Sequence, residues 1–346
     1  MPSNAHGAAA PLPPSGTISR RSWLGTAAAL GAAGAAGSRL AWGAPQQQPK
    51  ITFSWSGTGL CLAPVVIARE QGLFEKNKVD VDVISFAGSV DQVLESLATG
   101  KADMAVGLVH AWLKPLESGF NVKVVGSSHG GCLRVLAPAN SGITRPEQLR
   151  GKVVGVSSIA GPGKQFLSAY LGRKGIDPDK DVEWRAYPAD LLDVAIKKGE
   201  VHAISDSNPN LFLIEKRNKG ALREIANIQT GDYANRLCCI VTARADLVSR
   251  DKASVAAVVR ALTQASDFAA QNPNEAARIA LKHIPRASLE DIQAILSELS
   301  YGHHPSGTAL RDEIQAYAAD LRGVGVLKKS TDPTRFANYL TADVLA

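Results

Sequence analysis

Short strand-like segments alternate with helix-like segments along this 346-residue chain, and this alternation restricts the fold more than any other feature. Four strands with apolar alternation or short apolar runs are predicted at 51–55, 79–84, 102–106 and 122–126. Between the first two strands, Pro64 stands at a first helical position and Gly72 at a helix end, the places where these residues are favoured. Strands alternating with helices of this length predict a mostly parallel sheet covered by helices on both faces.

The same pattern starts again after the apolar segment Leu133–Leu136, which predicts a second α/β unit. Its strands are predicted at 151–156, 182–186 and 201–204, and its helices at 164–174 and 191–198. A strand at 237–242 is expected to return to the first unit. The chain is then helical from Asp251 onward, with periodic segments at 252–271, 274–282, 289–299 and 308–321.

The N-terminal segment has the pattern of an export signal. Arg20 and Arg21 stand directly before Trp23, and a weakly apolar Ala/Gly run follows over 25–37. This layout is typical of a twin-arginine signal, and the run contains too much glycine for a membrane-spanning helix. We predict that residues 1–43 are removed and that the protein works in the periplasm.

The charge and the motifs exclude several classes of function. The net charge is +6, but residues 1–43 contain three arginines and no acidic residue, so the mature chain carries about +3. No basic run with interleaved aromatic residues indicates a nucleic-acid partner. The G-x-S-x-G match at Gly126–Gly130 is not followed by a predicted helix and so is no nucleophile elbow, and the sequence contains no H-E-x-x-H and no dinucleotide fingerprint. We therefore predict a protein without catalytic residues that is not an enzyme.

Four short motifs, taken in order, resemble those of a known family. They are Gly72–Glu75, Leu97–Asp103, Leu149–Gly155 and Gly199–Ala203. In this order and spacing the chain resembles the periplasmic solute-binding proteins of ABC importers, most closely the branch that binds nitrate, aliphatic sulfonates and thiamine-pyrimidine precursors. His202 departs from the family pattern, which more often has Asp there.

The resemblance implies two lobes of the type II binding-protein fold, joined by two crossover strands near 133–139 and 235–242. Lobe 1 would then comprise 50–136 together with 240–346, and lobe 2 would comprise 137–239. A solute would bind in the cleft between them, and hinge motion would close the lobes around it. The implied partners are a small-molecule ligand and the permease and ATPase of the importer, with the binding protein itself monomeric.

Candidate ligand contacts follow from the rule that ligands of open α/β sheets lie beyond the carboxyl ends of the strands. Glycines and hydroxyls that precede helices at these ends offer N–H and O–H donors, and an acid there accepts from a donor. Two residues at the crossovers complete the set. The predicted ligand-binding residues are Ser56, Gly57, Thr58, Cys61, Gly88, Ser89, His110, His129, Ser157, Ser158, Asp206 and Asn235.

Ordinary structural roles compete with this prediction at several of these positions. The loop at 56–61 is also what an unremarkable strand-to-helix turn looks like. Ser89 is equally suited to cap the helix that starts at residue 90, and Asp206 to cap the segment that follows it. Trp112, close to His110, is expected to pack within the first lobe.

The four cysteines are Cys61, Cys132, Cys238 and Cys239, and none has C-x-x-C spacing. Because the resemblance places the two crossovers side by side, Cys132 is expected to approach Cys238 or Cys239, with Cys61 facing them. Three interpretations remain open: small buried residues at a tight hinge, a disulfide from Cys132 to the second crossover, and a thiolate–histidine site using His110 or His129. The first is favoured, and we predict neither a metal nor a cofactor.

The predicted ligand is a small polar organic solute. Asp206 disfavours a bare inorganic anion because like charges repel at close range, so a pyrimidine-like or other heteroaromatic compound, or a sulfonate, fits better. The alternatives are a sensor that presents the solute to a regulator, and an enzyme on the same fold. Such an enzyme would be pyrimidine-synthase-like or dependent on a thiol or metal.

Overall fold

A computed structural model describes residues 50–57, 59–86, 90–283 and 287–346. The predicted signal, residues 1–43, lies outside these ranges. Strands and helices alternate as expected, and each strand begins or ends within a few residues of an apolar run. The strands are β1 Lys50–Ser56, β2 Asp80–Phe86, β3 Met104–Leu108, β4 Val122–Gly130, β5 Leu133–Pro138, β6 Lys152–Val156, β7 Val182–Ala186, β8 Ala203–Ser207, β9 Leu222–Asn227 and β10 Leu237–Arg244.

The helices fill the segments between strands and make up the C-terminal part of the chain. They are α1 Ala63–Glu70, α2 Leu73–Lys76, α3 Val90–Ala98, α4 Val109–Glu117, α5 Pro162–Arg173, α6 Leu192–Lys197, α7 Asn210–Asn218, α8 Ala245–Arg250, α9 Lys252–Gln271, α10 Pro273–Leu281, α11 Leu289–Glu298, α12 Gly307–Gly323 and α13 Pro333–Leu340. Short 3₁₀ turns precede α1 and α6.

The ten strands of the described residues form two five-stranded sheets. The first sheet has the order β2-β1-β3-β10-β4, and the second has the order β7-β6-β8-β5-β9. In the first sheet β10 is antiparallel to both of its neighbours, and in the second sheet β5 is antiparallel to both of its neighbours. The remaining strands run parallel, which confirms the predicted mostly parallel sheets.

The chain passes between the two sheets twice. β4 stays in the first sheet as far as Gly130, and β5 belongs to the second sheet from Leu133. The return lies between Asn227, where β9 ends, and Leu237, which already pairs with Gly130 in the first sheet. β10 pairs with β4 along most of their length, so the first sheet extends beyond residues 122–126, which the apolar pattern predicted for β4.

The burial of apolar residues explains why helices cover both faces of the central strands. The strands β3 and β10 are buried on both faces, as expected for central strands covered by helices, and Trp112 of α4 packs fully buried against β3. Several elements were not predicted, among them α2, α4, α8, β9 and α13. β9 carries charged residues between its apolar ones, and α13 is capped by Asp332, which accepts a hydrogen bond from the N–H of Arg335 at 2.7 Å. Among the described residues no helix is both long and apolar enough to cross a bilayer.

Candidate functional site

The carboxyl ends of the parallel strands from both sheets lie next to each other. In the first sheet β3 runs directly into α4, and in the second sheet a loop from β6 leads into α5. His110, the second residue of α4, has its ring 6.0 Å from that of Phe166 in α5, in edge-to-face contact. Because α4 and α5 both start at these edges, the contact joins the two regions where ligands of open α/β sheets bind.

Aromatic rings line the junction between the two sheets. The ring of Tyr317 from α12 lies 4.8 Å from that of His110, and Tyr233 stacks with Tyr317 at 6.3 Å. Tyr233 also contacts Phe166 edge-to-face at 5.7 Å. The result is a buried aromatic wall contributed by α5, α12 and the turn that precedes β10, and aromatic side chains are common in the lining of small-molecule sites.

His110 is fully buried, and neither of its ring nitrogens has a hydrogen-bond partner. Burial lowers the pKa of His110 to about 4; the negative charges of the Cys238 thiolate and Asp320 oppose this shift, and Arg236 adds to it. The imidazole is therefore neutral near pH 7. It offers one donor and one acceptor at the junction, which is what a polar solute requires.

The second sheet contributes Asp206 and Ser157, which the structure brings together. Asp206 is buried and accepts hydrogen bonds from the N–H of Ser207 at 2.8 Å and from the amide of Asn210 at 3.1 Å. Burial raises the pKa of the Asp206 carboxyl, and the hydrogen bonds from Ser207, Asn210 and Ser157 oppose that shift. Ser158 is exposed in the loop before α5. Local hydrogen bonds thus occupy much of the acceptor capacity of Asp206.

The loop at the end of β1, residues 56–61, is tightly packed where the structure describes it. Ser56 and Cys61 are buried, and the N–H of Gly57 donates to the carbonyl of Phe86 at 3.1 Å. A side chain at Gly57 would lie 2.1 Å from the hydroxyl of Ser85, so only glycine fits there without movement of that side chain. Thr58, Gly88 and Ser89 lie outside the described residues.

The second crossover enters the first sheet through an exposed turn. Asn235 has a left-handed backbone conformation, with φ of 59°, and is exposed. Its neighbour Arg236 stacks on the ring of Tyr317 at 3.9 Å and pairs with Asp320 at 3.3 Å. The charge next to the aromatic wall is thus supplied by Arg236, which sequence reasoning did not select.

All four cysteines and His129 converge at the two crossovers. We call this group the thiol cluster: Cys61, His129, Cys132, Cys238 and Cys239. Each member is buried, and the Sγ atoms of Cys132 and Cys238 are 3.4 Å apart without a disulfide. The three donor atoms of Cys61, His129 and Cys239 lie within 4.8 Å of one another, and so do those of His129, Cys132 and Cys238. The expected approach of Cys132 to Cys238, with Cys61 facing it, is confirmed.

The pKa values of the groups in the thiol cluster are shifted in different directions. Hydrogen bonds from Cys132 and then Cys239 lower the pKa values of Cys61 and Cys238, whereas the pKa values of Cys132 and Cys239 are raised, by hydrogen bonding and by burial respectively. Burial by itself would lower the pKa of His129, but the nearby thiolates of Cys61 and Cys238 raise it to about 9. The thiols and the imidazole of the cluster are therefore electrostatically coupled.

Some buried polar atoms without a hydrogen-bond partner were missed by sequence reasoning. The Oε1 atom of Gln165, in the first turns of α5, and the hydroxyl of Ser128 in β4 are buried without a hydrogen-bond partner. Gln165 follows Ser157 by eight residues, and its position in the first turns of a helix at a strand's carboxyl end was the available signal. Such unsatisfied atoms are uncommon in folded proteins and point to a ligand or water.

A separate depression lies at the opposite edge of the first sheet. It has a volume of about 740 Å³ and its lining includes the loops that precede β3 and β4 together with Arg244 and Asp246. Arg244 and Asp246 satisfy each other with hydrogen bonds of 3.0 and 2.9 Å. With its charges already paired and the amino ends of strands around it, this depression is a weaker candidate than the junction.

Several known proteins are similar to this chain. The NMT1/THI5 like family model matches residues 61–276, which is more than half of the chain. The bicarbonate-binding protein CmpA of Synechococcus elongatus is 24% identical over 246 residues, covering 62% of this chain and 52% of that protein, so the match spans about half the relative's length.

Two solved structures have a similar fold. The alkanesulfonate-binding protein SsuA of Xanthomonas axonopodis bound to MOPS has a TM-score of 0.68 at 16% identity, covering 84% of this chain and 98% of that one. The nitrate-binding protein NrtA of Synechocystis has a TM-score of 0.68 at 15% identity, covering 86% and 87%. The predicted α/β binding-protein fold is thereby confirmed. Since the family model covers most of the folded part, this chain belongs to the NMT1/THI5-like family and has the fold of the periplasmic solute-binding proteins of ABC importers.

Proposed function

We propose that this protein is the extracytoplasmic solute-binding component of an ABC importer, which captures a small polar organic solute and delivers it to a membrane permease. The observation that carries the proposal is the meeting of both sheets' carboxyl edges at one junction, where buried polar atoms of His110 and Gln165 have no partner. A bound solute would supply the missing hydrogen bonds. Membership of the family supports the same reading.

The chemistry of the junction favours an organic solute with a flat apolar part. Aromatic rings of Phe166, Tyr233 and Tyr317 supply stacking surface, while neutral His110 and the amide of Gln165 supply both donors and acceptors. The Asp206 carboxylate disfavours a bare anion such as nitrate or bicarbonate. A pyrimidine-like or other heteroaromatic solute therefore fits better than the anions named for CmpA and NrtA, and a sulfonate with an organic part comes second.

A ligand screen on the purified mature protein tests the proposal. Pyrimidines, alkanesulfonates, nitrate and bicarbonate are compared by thermal shift, and a solute at about 100 times its Kd should stabilise the protein by about 2.7 kcal/mol. Ser157→Ala and Gln165→Ala should each weaken binding of the best solute about tenfold, the effect of one lost hydrogen bond. Isothermal titration measures these affinities.

The matched controls are Ser297→Ala and Gln293→Ala, which change the same residue types on α11, away from the junction. Both should bind like the unaltered protein. A solute that stabilises all five proteins equally would contradict the site assignment. The absence of any response to the whole panel, from a folded protein, would contradict the assigned ligand class.

A further inference from the structure

The thiol cluster is the strongest group of metal-ligating side chains among the described residues that the solute site does not use. Its members come from three separate segments: the 3₁₀ turn before α1, the first crossover and the start of the second. Register in the first sheet contributes directly, because Cys239 of β10 lies opposite His129 of β4. The group is thus assembled by the crossovers and not by a local motif.

The donor atoms form two overlapping sets. Cys61, His129 and Cys239 make up one and His129, Cys132 and Cys238 the other, with the donor atoms of each set within 4.8 Å of one another. The Sγ–Sγ distance of 3.4 Å between Cys132 and Cys238 compares with about 3.8 Å between sulfurs of a tetrahedral site with Zn–S bonds of about 2.3 Å. His129 is common to both sets, so donors of both sets surround one imidazole.

His129 provides an independent indication of a bound ion. Its Nδ1 atom donates to the carbonyl of Gly130 at 3.1 Å, which leaves Nε2 as the ring nitrogen with a free lone pair. Nε2 is fully buried, and no nitrogen or oxygen atom of the described residues donates to it or accepts from it. Donation of one ring nitrogen to a backbone carbonyl is the arrangement that orients histidines toward metal ions.

We propose that the thiol cluster is a buried binding site for one Zn²⁺ ion, held by four of its five donors. A closed set of thiolates and imidazole, with no carboxylate among the donors, is the set found in structural zinc sites. The ion would cross-link both crossovers to the loop that precedes α1. This site is distinct from the solute site, and its test does not depend on the solute.

Metal titration of the full chain tests the proposal. The protein is purified under reducing conditions, freed of metal, and titrated anaerobically with Co²⁺ as a spectroscopic substitute for Zn²⁺. We expect sulfur-to-cobalt charge-transfer bands and the intense visible bands of tetrahedral Co²⁺, complete at one equivalent and abolished by Zn²⁺. Zn²⁺ should also raise the Tm of the metal-free protein.

Variants identify the ligands. Cys238→Ser and Cys132→Ser should each weaken Zn²⁺ binding at least tenfold, and His129→Gln should weaken it about tenfold or more as a ligand or an orienting group. His202→Gln, an exposed histidine outside the cluster, should bind Zn²⁺ like the unaltered protein. Should a cysteine variant fail to fold, the His129→Gln titration and the unaltered protein still decide the matter.

Three results would overturn the zinc site. One is a reduced, folded protein that takes up no Co²⁺ or Zn²⁺. Another is uptake of Cu⁺ at one equivalent with no measurable affinity for Zn²⁺. The last is a cobalt spectrum without sulfur bands, or Zn²⁺ binding that His129→Gln and both cysteine variants leave unchanged.

Discussion

At the scale of single residues, His110 is the clearest case of a side chain whose chemistry is set by its surroundings. It starts α4 at the carboxyl edge of the first sheet, and it is enclosed by Phe166 and Tyr317 with both ring nitrogens unsatisfied. Burial of an unpaired polar group lowers stability, so its presence here fits a residue retained for binding. The same burial makes the residue sensitive to acid.

The stability of the protein should fall between pH 6.5 and pH 4 through His110. Because its folded-state pKa is about 4 and its ordinary value 6.5, the unfolded chain binds a proton in this range that the folded chain does not. The contribution is fully present above pH 6.5, and its loss at about pH 4 amounts to about 3 kcal/mol. Urea denaturation of the unaltered protein and of His110→Phe, at pH 7 and pH 4.5, measures this difference.

The variant should lose less stability on acidification than the unaltered protein, because its ring cannot take up a proton. Other groups titrate in both proteins and cancel in the comparison. Identical pH dependence of the two proteins would mean that His110 is protonated equally in both states.

At the scale of elements, α5 and α12 are joined by a charged contact beside the aromatic wall. Arg173 of α5 donates two hydrogen bonds to Asp320 of α12, at 2.9 and 2.8 Å, and Arg236 pairs with the same carboxylate. α5 packs on the second sheet, and α12 packs on α4 and α13 beside the first sheet. The carboxylate of Asp320 thus links helices that belong to different sheets.

Asp320→Asn should lower the free energy of unfolding by about 2 kcal/mol. The two hydrogen bonds from Arg173 would lose the negative charge of their acceptor, and the guanidinium groups of Arg173 and Arg236 would lose their counterion. Asp312→Asn changes an exposed residue of the same helix and should alter stability by less than about 0.5 kcal/mol. Urea denaturation at pH 7 compares the three proteins. Equal effects of the two substitutions would mean that the contact between α5 and α12 contributes no net stability.

At the scale of the whole molecule, two sheets between which the chain passes twice suit capture of a solute, and the proposed role in an importer requires the protein to lie outside the cytoplasm. We infer export by the twin-arginine route from Arg20 and Arg21. Replacing both by lysine should keep the protein in the cytoplasm with its signal uncleaved, as judged by cell fractionation and mass. Arg39→Lys, in the same segment, should be exported normally, and export of the double variant would contradict the assigned route.

Several elements of the fold were predictable because their signals are local. Val182–Ala186 and Lys252–Gln271 have the predicted bounds, since apolar periodicity depends only on neighbouring residues. β9 was missed because charges interrupt its apolar alternation, and α13 because its capping residue stands outside the periodic segments. Among site residues, the edge rule selected His110 and Ser157 but passed over Gln165, whose relevance depends on being buried without a partner.

The sequence by itself determined the order of strands and helices, the two α/β units and the family, because these depend on patterns between residues close in the chain. Only the tertiary structure decided which distant side chains meet. Cys132 and Cys238 are 106 positions apart, and their contact depends on the register between β4 and β10 and on the crossover geometry. The burial that leaves His110 neutral has the same origin, since the surrounding rings come from α5 and α12 and no local pattern specifies their approach.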